Sequence, residues 1–291
     1  MRDAIVELAP WHHDIEVAPG IWTRAVAEEA LGSAATTATG TGQPAAHRPV
    51  EKTELLLRAI YPDGLEGRSV LDCACNAGGH LFGAARAGAG SGFGFDAREH
   101  WIAQARFLAQ YLPAADLEFE VLDLYDLPSQ NRGRFDVCFF SGIFYHLPDP
   151  VAGLRIAADH TVEVLILNTA TRNGPGGVLV LNQESDEAVV SGVHRLAWLP
   201  TPDVLQPILE WCGMPHVRVI WETPQAEHAP RGWGRVALAA ARNAGALENL
   251  ERALRTAPQS SRAPDHQAQA PPLNPTRRGG TARGTAICRN G

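Results

Sequence analysis

The sequence holds a single lysine, Lys52, and two methionines in 291 residues. Its 25 basic side chains are therefore nearly all arginine, which we read as a coding bias and not as a binding signal. Basic charge is also outweighed, because 32 Asp and Glu residues leave a formal net charge of −7. A surface built to neutralise phosphates would carry the opposite sign, so a general nucleic-acid binder is disfavoured and only a local patch stays open. No run of 18 apolar residues exists, so no membrane-spanning helix is expected. The N-terminal stretch MRDAIVELAPWHHDIEV has acids and histidines where a secretory signal would need an apolar run. Five cysteines (Cys73, Cys75, Cys138, Cys212 and Cys288) form neither a disulfide framework nor paired zinc knuckles. A reducing cytoplasm is the expected setting.

What is present is ordinary globular composition, with 45% hydrophobic and 20% charged residues. That is enough for one sizeable core with appendages. Residues 1–48 read as an N-terminal lead-in or lid, with a short helix over 23–31 and a small-residue linker over 33–46. Residues 49–245 read as one domain. Helix signals fall at 51–60, 79–87, 99–111, 150–159 and 202–212. Strand signals fall at 69–75, 92–95, 118–122, 135–140, 162–168, 216–221 and 235–240. Near-continuous apolar strands alternating with helices predict an α/β fold with a doubly wound, mostly parallel sheet. The last strand, GRVALAAAR, returns soon after HVRVIWE and is expected to run antiparallel. Residues 171–200 interrupt the rhythm and read as an inserted cap. Residues 256–291 are rich in Pro, Gly, Ser, Gln and Arg and read as a disordered tail.

The chemistry concentrates in SVLDCACNAGGHLF, residues 69–82. A strand runs into a small-residue turn and then a helix, which lets a ligand approach the backbone and meet helix N-terminal amides. Asp96 closes the next strand, 18 residues after Gly78, where a carboxylate can accept from both hydroxyls of a ribose. Together these point to a nucleoside-containing cofactor. The turn holds no G-x-G-x-x-G, and the chain has no G-K-[ST], so nicotinamide and P-loop chemistry are not expected.

The turn resembles the D-x-G-x-G-x-G loop of class I S-adenosylmethionine (SAM) methyltransferases. Asp72 stands at the acid, Ala74 and Asn76 at the first two glycines, and Gly78 at the third. The resemblance implies a seven-stranded Rossmann-like sheet and SAM as cofactor. It implies that Asp72, Ala74, Asn76, Gly78 and Gly79 cradle the methionine part and that Asp96 holds the ribose. Asp123, with Leu124 after it, matches the position that meets the adenine.

A third segment, FSGIFYHLPDP at residues 140–150, follows the fourth strand at the mouth of the sheet. With CNAGG and FDVCFF, it resembles a subgroup related to tRNA wobble-uridine carboxymethyltransferases. That resemblance covers roughly residues 49–222. Those enzymes use a carboxylated SAM and hold its extra carboxylate with cationic and aromatic side chains. Tyr145 matches their tyrosine, whereas His13 replaces the lysine of their lead-in, which favours plain SAM here.

Tyr145 and His146 are the candidate catalytic residues, His146 as general base and Tyr145 as a positioning group. His80 is expected to line the cofactor pocket, and Trp101 and Trp198 to serve packing. The histidines look too scattered along the chain for a metal site, so none is expected. The resulting expectation is methyl transfer from SAM to a small-molecule acceptor, at oxygen. Wobble-uridine modification of tRNA is a disfavoured alternative, and a non-catalytic Rossmann-like binding protein is another.

Overall fold

The computed structural model describes residues 1–35, 47–112, 116–174, 176–183, 192–193, 195–223 and 233–256. The expected tail lies outside the described residues apart from its first residue, and so do most of the linker and part of the cap.

The lead-in supplies α1 (Arg2–Glu7), β1 (Glu16–Ala18), β2 (Ile21–Trp22) and α2 (Thr23–Leu31). The domain then runs α3 (Pro49–Ile60), β3 (Ser69–Cys73), α4 (Gly79–Arg86), β4 (Ser91–Asp96), α5 (Glu99–Leu108) and β5 (Asp116–Val121). It continues with β6 (Phe135–Ser141), α6 (Pro150–Asp159), β7 (Thr161–Arg172), β8 (Leu179–Gln183), β9 (Leu196–Pro200) and α7 (Pro202–Trp211). It closes with β10 (His216–Glu222), β11 (Trp233–Ala241) and α8 (Glu248–Thr256).

The main sheet has seven strands in the order β10-β11-β7-β6-β3-β4-β5. The strands from β7 to β5 pair in parallel, and β11 runs antiparallel to both β7 and β10. This is the doubly wound Rossmann-like arrangement expected from the strand-helix alternation. Strand order reverses between β3 and β6, and ligands of such sheets bind at the carboxyl ends beside that point.

Alternation along each strand explains why both faces are covered. On β6, Val137 and Phe139 join the core under α3, α4 and the lead-in, while Cys138 and Phe140 join the core under α6 and α7. On β7, Val164 and Ile166 share the first core and Leu165 and Leu167 the second. All eight are at most 3% exposed, so the burial has period two on each face. Truncating Phe139 to Ala would cost roughly 3–5 kcal/mol.

Local signals set the helix starts. Pro49 and Pro150 open α3 and α6, where a missing N–H costs nothing. The Asp149 side chain caps α6 by accepting from the Ala152 amide at 3.1 Å. Several ends differ from expectation. Strand β7 extends four residues past 168, because the polar TATR stays paired with β11 up to Arg172↔Trp233. The inserted segment forms a separate two-stranded antiparallel sheet, β8 with β9.

The lead-in is packed into the first core. Ile5, Trp11 and Ile15 are at most 1% exposed. The Trp11 indole donates to the Ile5 carbonyl at 2.8 Å, and the Gln104 amide of α5 donates to the carbonyls of Leu8 and Pro10. Among the described residues, no helix is long and apolar enough to cross a membrane.

Candidate active site

The turn between β3 and α4 is built from left-handed backbone. Ala74, Asn76 and Gly78 have φ of 57°, 52° and 77°. These are the three glycine positions of the loop it resembles, and each needs the conformation that glycine adopts most cheaply. Asn tolerates it, whereas Ala74 is held there at a cost of about 1–2 kcal/mol. The Asn76 side chain helps by accepting from the Ala77 amide at 2.8 Å. Packing also fixes the last two glycines. A Cβ on Gly78 would stand 2.6 Å from the Phe119 ring, and one on Gly79 would stand 2.2 Å from Pro49.

Two carboxylates lie against this turn. Asp96, 2% exposed, accepts from the Asn76 amide at 3.3 Å and from the Arg98 amide at 3.0 Å. The Arg98 guanidinium adds an ion pair at 3.2 Å. Asp96 therefore ties the turn to the end of β4. Asp72 is 1% exposed, and neither of its oxygens has a hydrogen-bond partner among the described residues. Burial, reinforced by the negative charge of Asp96, holds its carboxyl well above the usual carboxylate range. Such an orphaned acid beside a helix start is the feature a cationic ligand group would satisfy. Asp123 caps the Leu124–Gln130 turn, its side chain accepting from the Tyr125 amide at 2.9 Å, and Leu124 is buried.

Tyr145 and His146 sit in the short Phe144–His146 turn after β6, their rings 4.1 Å apart. Strand β11 brings in a residue that the sequence reading missed. Arg235 donates to the Tyr145 hydroxyl at 3.5 Å and to the Asn168 side chain at 3.2 Å. The only local sign was a charge at the head of an otherwise apolar strand; the pairing itself spans 90 residues. Trp198 on β9 donates to the Pro148 carbonyl at 2.9 Å, which pins the inserted hairpin over this turn. His80 is held by Thr53 at 2.7 Å and stacked on Phe139 with centroids 4.7 Å apart. Burial lowers its pKa to about 4, so it is neutral at physiological pH. Cys73 and Cys75 are buried, and burial pushes both thiols up, so neither offers a thiolate.

The lead-in histidines, scattered in sequence, are together in space. His12, His13 and His47 each place a ring nitrogen within 4.8 Å of the others. His12 also lies within electrostatic reach of Arg98, Arg235 and His146, and His13 Nδ1 lies 3.0 Å from where a Cβ on Gly79 would stand.

A family model described as a methyltransferase domain matches residues 65–210. A tRNA U34 carboxymethyltransferase from Alcanivorax borkumensis is 30% identical over 175 residues, covering 57% of this chain and 50% of that protein. A ubiquinone biosynthesis O-methyltransferase from Neisseria meningitidis is 36% identical over 106 residues, covering 35% of this chain and 44% of that one. The chain thus spans about half the length of the curated relatives it matches. In solved structures, the N-terminal domain of EvdMO1, crystallised in the presence of SAH and D-fucose, superposes with a TM-score of 0.60. It is 20% identical and covers 83% of this chain and 95% of its own.

Proposed function

The chain belongs to the methyltransferase domain family, and from that premise we propose that it moves a methyl group from SAM to an oxygen of a small-molecule acceptor. The observation that carries the reading is the turn itself. It has left-handed backbone at all three glycine positions, with one buried carboxylate bonded to it and a second left without a partner.

The residues present fit SAM. Asp72 offers an unsatisfied acid for an ammonium group, and the α4 N-terminus offers amides for a carboxylate. Asp96 would hold the ribose, and Asp123 and Leu124 would meet the adenine. Bound there, SAM supplies a methyl group already activated by its sulfonium. The chain's own residues then orient the acceptor, which can lower the barrier by about 7 kcal/mol or more. Tyr145 and Arg235 position it, and the β8–β9 hairpin covers it. His146 would take the proton that the acceptor hydroxyl loses on accepting the methyl group, whose bond to the sulfonium sulfur would break to leave a neutral thioether. General-base help of this kind contributes roughly 10²–10⁴-fold.

A second reading is favoured by two observations. Several curated relatives are named tRNA U34 carboxymethyltransferase. Arg235 against Tyr145 also supplies the cation beside tyrosine that a carboxylated donor would need. The net charge of −7 and the O-methyltransferase relative support the first reading.

The test is to incubate purified protein with labelled SAM, or with its labelled carboxylated form, and either a small-molecule extract or total tRNA. Label in the low-mass fraction is expected. Label confined to tRNA would put the second reading in its place. No label from either donor, together with no binding of either by calorimetry, would refute both. In the productive assay, His146→Ala should lower turnover and leave SAM affinity and melting temperature near wild type.

A further inference from the structure

Consecutive residues of an extended strand point to opposite sides. His12 and His13 do not, because the chain bends at His12. His13 then forms a parallel bridge with His47, and the Asp14 amide donates to the His47 carbonyl at 2.8 Å. The three rings form a nearly equilateral triangle, with centroids 5.5, 5.5 and 5.1 Å apart. Three imidazoles bound to one zinc ion at about 2.0–2.1 Å and tetrahedral angles would place their centroids roughly 5 Å apart. His13 is 5% exposed, and its Nδ1 has no hydrogen-bond partner among the described residues. A buried ring nitrogen of that kind costs about 1–3 kcal/mol unless something partners it.

We propose that His12, His13 and His47 bind one divalent transition-metal ion, zinc in the first instance, with a fourth coordination position open beside the cofactor turn. Three imidazoles without a carboxylate suit zinc and its late first-row neighbours and exclude calcium and magnesium. His80 is a neighbour and not a ligand, since Thr53 already holds its Nδ1. Asp14 is likewise engaged, by the Arg24 amide and by Arg48.

The position gives the ion a use. His13 Nδ1 lies 3.0 Å from where a Cβ on Gly79 would stand, which sets the site against the start of α4. His12 lies within electrostatic reach of Arg24, Arg98 and Arg235, so an anionic fourth ligand would offset the added charge. Hydroxide or the oxyanion of an acceptor meets that need. The acceptor's place there rests on the methyl-transfer reading, whereas the metal site itself does not.

The experiment uses untagged full-length protein stripped with a chelator. Zinc is titrated in competition with a chromophoric chelator, and cobalt(II) serves as the spectroscopic probe. Wild type should take up one equivalent of either ion, give the visible bands of tetrahedral cobalt and gain melting temperature. His13→Gln and His47→Gln should each weaken binding by more than the roughly 10–100-fold lost with a mere supporting partner. His216→Gln, on the edge strand β10, should bind as wild type. Circular dichroism checks that the variants fold; should either fail, His12→Asn and the wild-type cobalt spectrum still decide. Absence of stoichiometric zinc and cobalt binding by wild type, or unchanged binding in the folded variants, would overturn the site. SAM calorimetry on the same samples separates the two claims. SAM binding without metal sinks only this site, and metal binding without SAM sinks only the reading of plain SAM as donor.

Discussion

Replacing Asp72 with asparagine should move stability and cofactor affinity in opposite directions. The carboxyl is 1% exposed, its oxygens have no partner among the described residues, and Asp96 adds a like charge. A buried polar group left unsatisfied costs about 1–3 kcal/mol, and more when charged. Asparagine keeps the shape and removes the charge, so the ligand-free protein should gain on the order of 1 kcal/mol. For a domain of this size that is a rise of about 2–4 °C in melting temperature. The pH dependence has a definite sign. A carboxyl whose folded-state pKa is raised holds its proton longer in the native protein than in the unfolded chain. Its contribution to stability therefore declines as pH rises from the unfolded value, near 3.9, through the raised folded value. That decline should vanish in Asp72→Asn. If the carboxylate receives the ammonium of SAM, affinity should fall by the worth of a charge-assisted bond, about 1.5–3 kcal/mol, or roughly ten- to a hundredfold. Scanning calorimetry without ligand and titration calorimetry with SAM read the two effects. A variant that loses stability and keeps its SAM affinity would refute the reasoning, because the acid would then be structural.

Asp96→Ala should weaken SAM binding by a similar 1.5–3 kcal/mol or so, and unchanged affinity by calorimetry would count decisively against the ribose role. Ala74→Gly relieves left-handed strain of about 1–2 kcal/mol against an entropic loss of about 0.4–1; chemical denaturation should show a net gain, and a loss would mean that the Ala74 methyl packs usefully. His80, lowered to about 4 by burial, binds fewer protons folded than unfolded. Its contribution is complete above about pH 6.5 and is lost as pH falls toward 4, by up to about 1.4 kcal/mol per pH unit. Urea titrations of metal-free protein should show a shallower acid decline in His80→Gln; identical slopes would remove His80 from the acid response.

The parts legible in the sequence are those set by local pattern. Strands β3, β4, β6 and β7 announce themselves because burial on both faces demands continuous apolar residues. The cofactor turn is legible because its small residues follow a strand and precede a helix. Helix α8 was missed because ENLERALRT is mostly polar and Leu250 is its one buried anchor. The end of β7 was misplaced because pairing with a distant strand, not propensity, keeps TATR extended. The histidine triangle and Arg235 were invisible for a related reason. His47 stands just beyond a linker with no periodic face, and its partners are some 35 residues away. Contacts of that range leave no signature in the spacing of residues.

Strand β11 has a consequence for the order of assembly. It lies between β7 and β10 although it follows both in the chain. While residues up to β10 are emerging, β7 presents an unpaired apolar edge, the kind of template that invites intermolecular pairing. The same strand carries Arg235 to Tyr145, so pairing of β11 with β7 also brings the two side chains together. A chain that stopped before β11 would keep the β3–α4 turn but hold an open sheet edge at β7 and lack the cation at the Tyr145 hydroxyl, so the strand that covers the edge also completes that polar pair.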